Sequence, residues 1–168
     1  MIIKIDATEQ ECKSAKAAHE LFTINAILIH VIGGLGLIKL LNTSMDLAIG
    51  LTIAISAIII AYTYLRTKKA KENDSYLVYL HWQLSLNRYK ILISAYLFYF
   101  LITSLGLVIG DSGMSSMDGT SITGSILTLL GTVPLFFAVL ISAVLGSGSM
   151  FNAGRGEVEQ KFVQKYPQ

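Results

Sequence analysis

His30 is the single ionisable residue near the middle of any long apolar tract in this chain. A titratable group at such a depth marks a candidate functional site, because hydrocarbon tolerates it only when a partner is at hand. An imidazole there can donate a hydrogen bond or pass a proton. Passing a proton needs an acceptor, and none of the apolar tracts contains Asp or Glu. The residues therefore favour a structural donor. Pro134 supplies the expected partner: it has no N–H, so the Leu130 carbonyl loses its helical bond and requires a donor in lipid.

Other familiar constellations are missing. His19, His30 and His81 are expected at different depths or separated by a span, and so not to converge in one pocket. The single cysteine, Cys12, excludes an intramolecular disulfide and a thiolate metal cluster. Gly146-Ser147-Gly148-Ser149 lacks the spacing of a serine-nucleophile elbow and reads as a flexible linker. Gly33-Gly34-Leu35-Gly36 lies in an apolar tract without a following Lys-Ser or Lys-Thr, so it is no phosphate loop. The sequence predicts no enzyme, no cofactor and no metal.

The elements that must position these residues are membrane helices. Hydrophobic residues make up 53% of the 168 positions, and the mean hydropathy is +0.60, too apolar for a soluble fold of this length. A span needs about 20 mostly apolar residues, and four tracts qualify, near 21–41, 47–65, 91–109 and 122–145. Lys39, near one end of its tract, is their only charged residue and can snorkel to the headgroups. The N-terminal segment (Lys4, Lys13, Lys16), the 66–90 segment (Arg66, Lys68, Lys69, Lys71, Arg88, Lys90) and the tail (Arg155, Lys161, Lys165) carry the remaining basic residues. Four spans place all of these on the cytoplasmic side, with both termini inside, and leave Asp46, Asp111 and Asp118 outside. The basic residues are thus markers of topology, not a nucleic-acid footprint. The expected setting is a bacterial inner membrane.

Between the spans, Thr8-Glu9-Gln10-Glu11 has the form of a capping box and starts a helix near Glu9. Residues 66–74 read as a hydrophilic turn region, with a cytoplasmic extension of the second helix as the alternative, after which Asp74 or Ser75 caps a helix that continues into the third span. This extension, within 66–90, carries Tyr79, His81, Trp82, Gln83, Asn87 and Arg88, a polar and aromatic set suited to anchoring at the interface or docking a partner. The Gly- and Ser-rich stretch 146–156 is expected to be flexible, and residues 151–168 to form a short cytoplasmic tail.

Within lipid, helices meet through small residues and hydroxyls. The fourth tract carries Ser121, Ser125, Thr128, Thr132, Leu135, Val139, Ser142 and Gly146 at alternating steps of four and three, a left-handed seam. The second offers Gly50, Ala54, Ala57 and Ala61; the third Ala95, Tyr99, Thr103, Gly106 and Gly110; the first Ala26, His30 and Gly33. The expected fold is an all-α, compact, left-handed antiparallel four-helix bundle with a transmembrane domain over 1–150. The leading functional expectation is a non-catalytic subunit that binds or senses a protein partner on the cytoplasmic side, within an oligomeric complex. The competing expectation is an oligomeric channel or small transporter lined by the Ser/Thr stripe of the fourth helix.

Overall fold

The computed structural model describes residues 1–40, 42–110 and 122–167. In chain order the elements are β1 (Ile2–Lys4), α1 (Glu9–Thr23), a π-helical segment (Ile24–Gly33), α2 (Gly34–Leu40), α3 (Met45–Asn73), α4 (Tyr76–Gly110), α5 (Ile122–Gly154), β2 (Glu157–Glu159) and α6 (Gln160–Lys165). Four helical stretches are long and apolar enough to cross a membrane: Glu9–Leu40, Leu47–Asn73, Tyr76–Gly106 and Ser125–Gly154. Each overlaps one of the four apolar tracts. The external segment expected around Asp111 and Asp118, and Ser121, lie outside the described residues.

The helices outrun the bilayer. At 35 residues, α4 is about 52 Å long against a hydrocarbon core of about 30 Å. The excess amounts to about 15 residues. α1 begins at Glu9 behind the capping box: Thr8 Oγ1 accepts from the Glu11 N–H at 3.3 Å, and the Thr8 N–H donates to Glu11 Oε2 at 2.7 Å.

Two expectations about the polar segments are corrected. Residues 66–73 are not a turn but the last turns of α3, which ends only at Asn73. Lys, Ala and Glu are strong helix formers, and the Asp74 N–H closes the helix on the Ala70 carbonyl at 3.1 Å. The stretch 146–156 is likewise no flexible linker, since α5 continues through Gly154. Gly156, at φ 70°, then turns the chain, a left-handed position after a helix end that suits glycine.

The described chain forms two compact units, residues 1–89 with 141–168, and residues 90–140. In the first, β1 pairs antiparallel with β2 through Ile2–Glu159, Ile3–Val158 and Lys4–Glu157. The N-terminus is thereby held against the end of α5. A shared apolar core, including Ala15, Ala18, Leu80, Trp82, Val158 and Phe162, lies under this pair. The Tyr76 hydroxyl donates to the Tyr166 carbonyl at 2.7 Å and ties the end of α6 to α4.

In the second unit Ala95, Tyr99 and Gly106 of α4 are buried and Thr103 is half-buried. Gly131 of α5 is buried beside Tyr99, where an added Cβ would stand 3.3 Å from the ring.

The second apolar helix turns a different face inward. Ala54, Ala57 and Ala61 are exposed, whereas Thr52, Ser56, Thr63 and Thr67 are buried. The hydroxyl face wins because Thr63 and Thr67 satisfy themselves on the Ile59 and Thr63 carbonyls and bury without an unpaired group. Alanine loses nothing by facing lipid.

Candidate functional site

The capping box fixes where α1 starts, and from there Ala15, Ala18, His19, Phe22 and Ala26 fall on one buried face. On α4, Leu77, His81, Ser85, Tyr89 and Leu92 form the corresponding buried stripe at three- and four-residue spacing. Where the two faces meet, His19 Nε2 lies 2.8 Å from His81 Nδ1. The rings are edge to face, with centroids 5.1 Å apart and planes at 89°. This corrects the expectation that the histidines stay apart. His19 and His81 are 62 residues apart in sequence yet 0% and 1% exposed in one contact.

The contact continues on both sides. Ser85 Oγ donates to the Ala18 carbonyl at 3.0 Å. Phe22 meets Tyr89 edge to face with centroids 4.8 Å apart. Arg88 donates from Nη1 to the Leu145 carbonyl of α5 at 2.5 Å. One turn along the first helix, Asn25 Nδ2 donates to Ser56 Oγ of α3 at 2.8 Å, both residues fully buried.

The proton positions of the histidine pair follow from what surrounds it. His19 Nδ1 is buried without a hydrogen-bond partner. His81 Nε2 is likewise buried without a partner, so either tautomer leaves one ring N–H unsatisfied; the Glu157 backbone beside His81 favours the hydrogen of the contact on His19 Nε2. Both rings lie outside the apolar tracts. Burial pushes His81 down to about 4, against an opposing pull from the Glu157 backbone and with added repulsion from Arg88. His19 is held well below the ordinary 6.5, first by burial, then by His81 and Arg88. The pair is neutral at pH 7.

The residues expected to present a docking surface are largely turned inward. His81 and Trp82 are buried, and Tyr79, Gln83, Asn87 and Arg88 are half-buried. Amphipathic aromatic and polar groups do suit an interface, but here the interface is internal. The Trp82 ring carries the Arg66 guanidinium 5.1 Å from its centroid and Tyr62 at 6.3 Å; Arg66 also pairs with Asp74 at 2.6 Å. Charged residues that remain exposed near this turn are Lys68, Lys69, Lys71 and Glu72.

Inside the apolar tracts, His30 Nδ1 lies 2.8 Å from the Asn25 carbonyl, five residues back on its own π-helical segment. The structure thus gives His30 an acceptor within its helix, whereas the sequence pointed to the carbonyl opened by Pro134, which lies in α5. On the α5 seam Ser125 is exposed, Thr128 and Thr132 are half-buried and Ser142 is buried. Thr132 Oγ1 bonds back to the Thr128 carbonyl at 2.8 Å. Gly106 is buried, and the surroundings of Gly110 lie outside what is described.

Asn25 was missed because a search for ionisable groups passes over amides. Its signal was nonetheless in the sequence: a lone amide among Ile, Ala and Leu must find a partner in lipid. Compared with protein-family models, with curated proteins and with solved structures, the chain matches none.

Proposed function

We propose that the chain is a non-catalytic, four-span membrane subunit of an oligomeric complex that binds or senses a protein partner through its folded polar end. The observation that carries this reading is that α1, the end of α3, the start of α4, the end of α5, β2 and α6 share one core, with β1 paired to β2 at its edge. Segments expected to hang free instead build a defined surface. A folded end with a defined surface is suited to recognition. In this reading both termini and the α3–α4 turn are cytoplasmic, which the β1–β2 pairing supports by holding the N-terminus beside the end of α5, and which the distribution of Lys and Arg supports independently. Contact runs through the exposed Lys68, Lys69 and Lys71, whose charge would meet an acidic partner surface.

A photocrosslinking residue placed at Lys69 in native membranes tests the proposal, with Ile58, exposed in the apolar part of the same helix, as the lipid-facing control. A discrete protein adduct at position 69 alone is expected. Conduction by the purified chain in pure lipid, altered by substitutions at Ser125, Thr128 and Thr132, together with no adduct, would establish the channel reading instead. Orientation is read separately by cysteine labelling after Cys12 is replaced. Labelling of position 69, but not position 115, by an impermeant reagent from outside overturns the assigned sidedness.

A further inference from the structure

We infer that the His19–His81 contact is a proton-operated latch that holds α1 on α4 when both rings are neutral and releases the polar end when they are protonated. The inference rests on the partner-binding reading only for what the latch controls.

The geometry dictates the response. At 2.8 Å between His19 Nε2 and His81 Nδ1, one nitrogen must be bare and the other must carry hydrogen. A proton added to His81 Nδ1 sets two donors against each other and removes the bond. A proton added to His19 Nδ1 keeps the bond but leaves a cation in a fully buried site, with no acceptor on that nitrogen. Either event disfavours the closed contact.

The neighbouring groups act in opposite senses on the cation, and burial outweighs the favourable one. Arg88, on the same helix as His81, acts on both rings and repels positive charge. From β2 the Glu157 backbone faces His81, while the Glu157 carboxylate is engaged with Arg155 at 3.1 Å. Glu159, at the end of β2, acts in turn on Arg88. The rings also sit between other ties: Ser85 holds the Ala18 carbonyl one residue away on α1, and His81 precedes the buried Trp82. Loosening the latch therefore wets Trp82.

The sign follows from linkage. Folded-state values pushed below the ordinary 6.5 mean that the open state takes protons more readily. The closed form is fully favoured above about 6.5 and loses ground as pH falls toward about 4. Each proton taken up on opening changes the open-to-closed ratio by up to about tenfold per pH unit, so two rings give up to about a hundredfold.

Trp82 is the only tryptophan and reports the event directly. Its emission is recorded on the full chain in phosphatidylcholine nanodiscs from pH 7.5 to 4. A reversible red shift steeper than one proton is expected. His19→Gln keeps a donor to His81 and removes one titrating ring, so its transition should be shallower, limited to about tenfold per pH unit. The double variant His19→Gln, His81→Gln should be flat. An unshifted wild-type emission overturns the latch. So does a double variant that titrates like wild type, because the response would then belong to neither histidine. The Lys69 adduct, compared at pH 7.5 and pH 5, is a separate arm. A latch that titrates while the adduct is absent at both values sinks the partner reading and leaves the latch standing.

Discussion

Two glycines of α5 separate packing from helix propensity. Gly146 is buried where α5 crosses the end of α1, and a Cβ built there collides with Thr23 Oγ1 and stands 3.1 Å from Phe22 Cδ1. Gly148, two residues on in the same helix, has nothing within 4 Å of such a Cβ. Replacing glycine by alanine favours a helix by up to about 1 kcal/mol at either position. Overpacking opposes this at Gly146 alone, at a typical cost of about 1 to 3 kcal/mol. The neighbours have little room to give: Phe22 is fully buried and clamped edge to face on Tyr89, and Thr23 is β-branched, with few rotamers available in a helix.

Gly148→Ala should therefore leave thermal stability unchanged or raise it slightly. Gly146→Ala should fall below it by about 1 to 3 kcal/mol, the propensity gain cancelling between the two. For a chain of this length, that is a gap of about 2 to 12 °C in Tm, readable by scanning fluorimetry in detergent. Thr23→Ala removes the colliding oxygen and should recover part of the loss in the double variant, a coupling that distant sites do not show. Equal melting temperatures for Gly146→Ala and Gly148→Ala would refute the close crossing of α1 and α5.

Two further outcomes follow from the same structure. A double-mutant cycle on Asn25→Leu and Ser56→Ala should give a coupling of about 0.6 to 1.7 kcal/mol, the scale of hydrogen bonds between membrane helices; additive losses would show that the 2.8 Å contact contributes nothing of its own. Gly156→Ala places a Cβ at φ 70° and 3.1 Å from the Ile5 carbonyl, so stability should drop by at least about 1 to 2 kcal/mol, with faster proteolysis beyond residue 156. Unchanged cleavage there would mean that the β1–β2 pairing does not hold the tail.

The membrane-scale features were legible because they depend on local quantities. Length and apolarity located the four spans, Thr8 and Glu11 marked the start of α1, and the uninterrupted run from Tyr76 gave the extended α4. What escaped depends on which helix faces which. The small residues of α3 suggested an inward stripe, but Ala54 and Ala57 face out and Thr52 and Ser56 face in, a choice made by the position of Asn25 on another helix. Gly146 to Gly148 looked like a linker because Gly and Ser are flexible in water; against α1 the same lack of side chain permits close packing. The π-helical segment carried only a weak signal, a run of β-branched residues ending at Gly33 and Gly34 that lowers α-helix preference without naming the alternative. The histidine contact had no signal along the chain at all, because α3 and most of the first helix separate its members.

That contact belongs to a set whose placement is itself informative. In lipid, apolar helix faces gain little from meeting one another, so Leu and Ile contacts do not choose between alternative registers. Polar groups do, because a shifted register strands a donor or acceptor where no water can satisfy it. In the first unit the cross-helix polar bonds of α1 and its π-helical continuation include Ala18 to Ser85, His19 to His81 and Asn25 to Ser56. They fall within residues 18 to 25, about two helical turns, and engage both α3 and α4. These three bonds fix the register of the first helix against both neighbours over a short stretch. A rotation of α1 that broke the histidine contact would also carry Ala18 and Asn25 away from their partners.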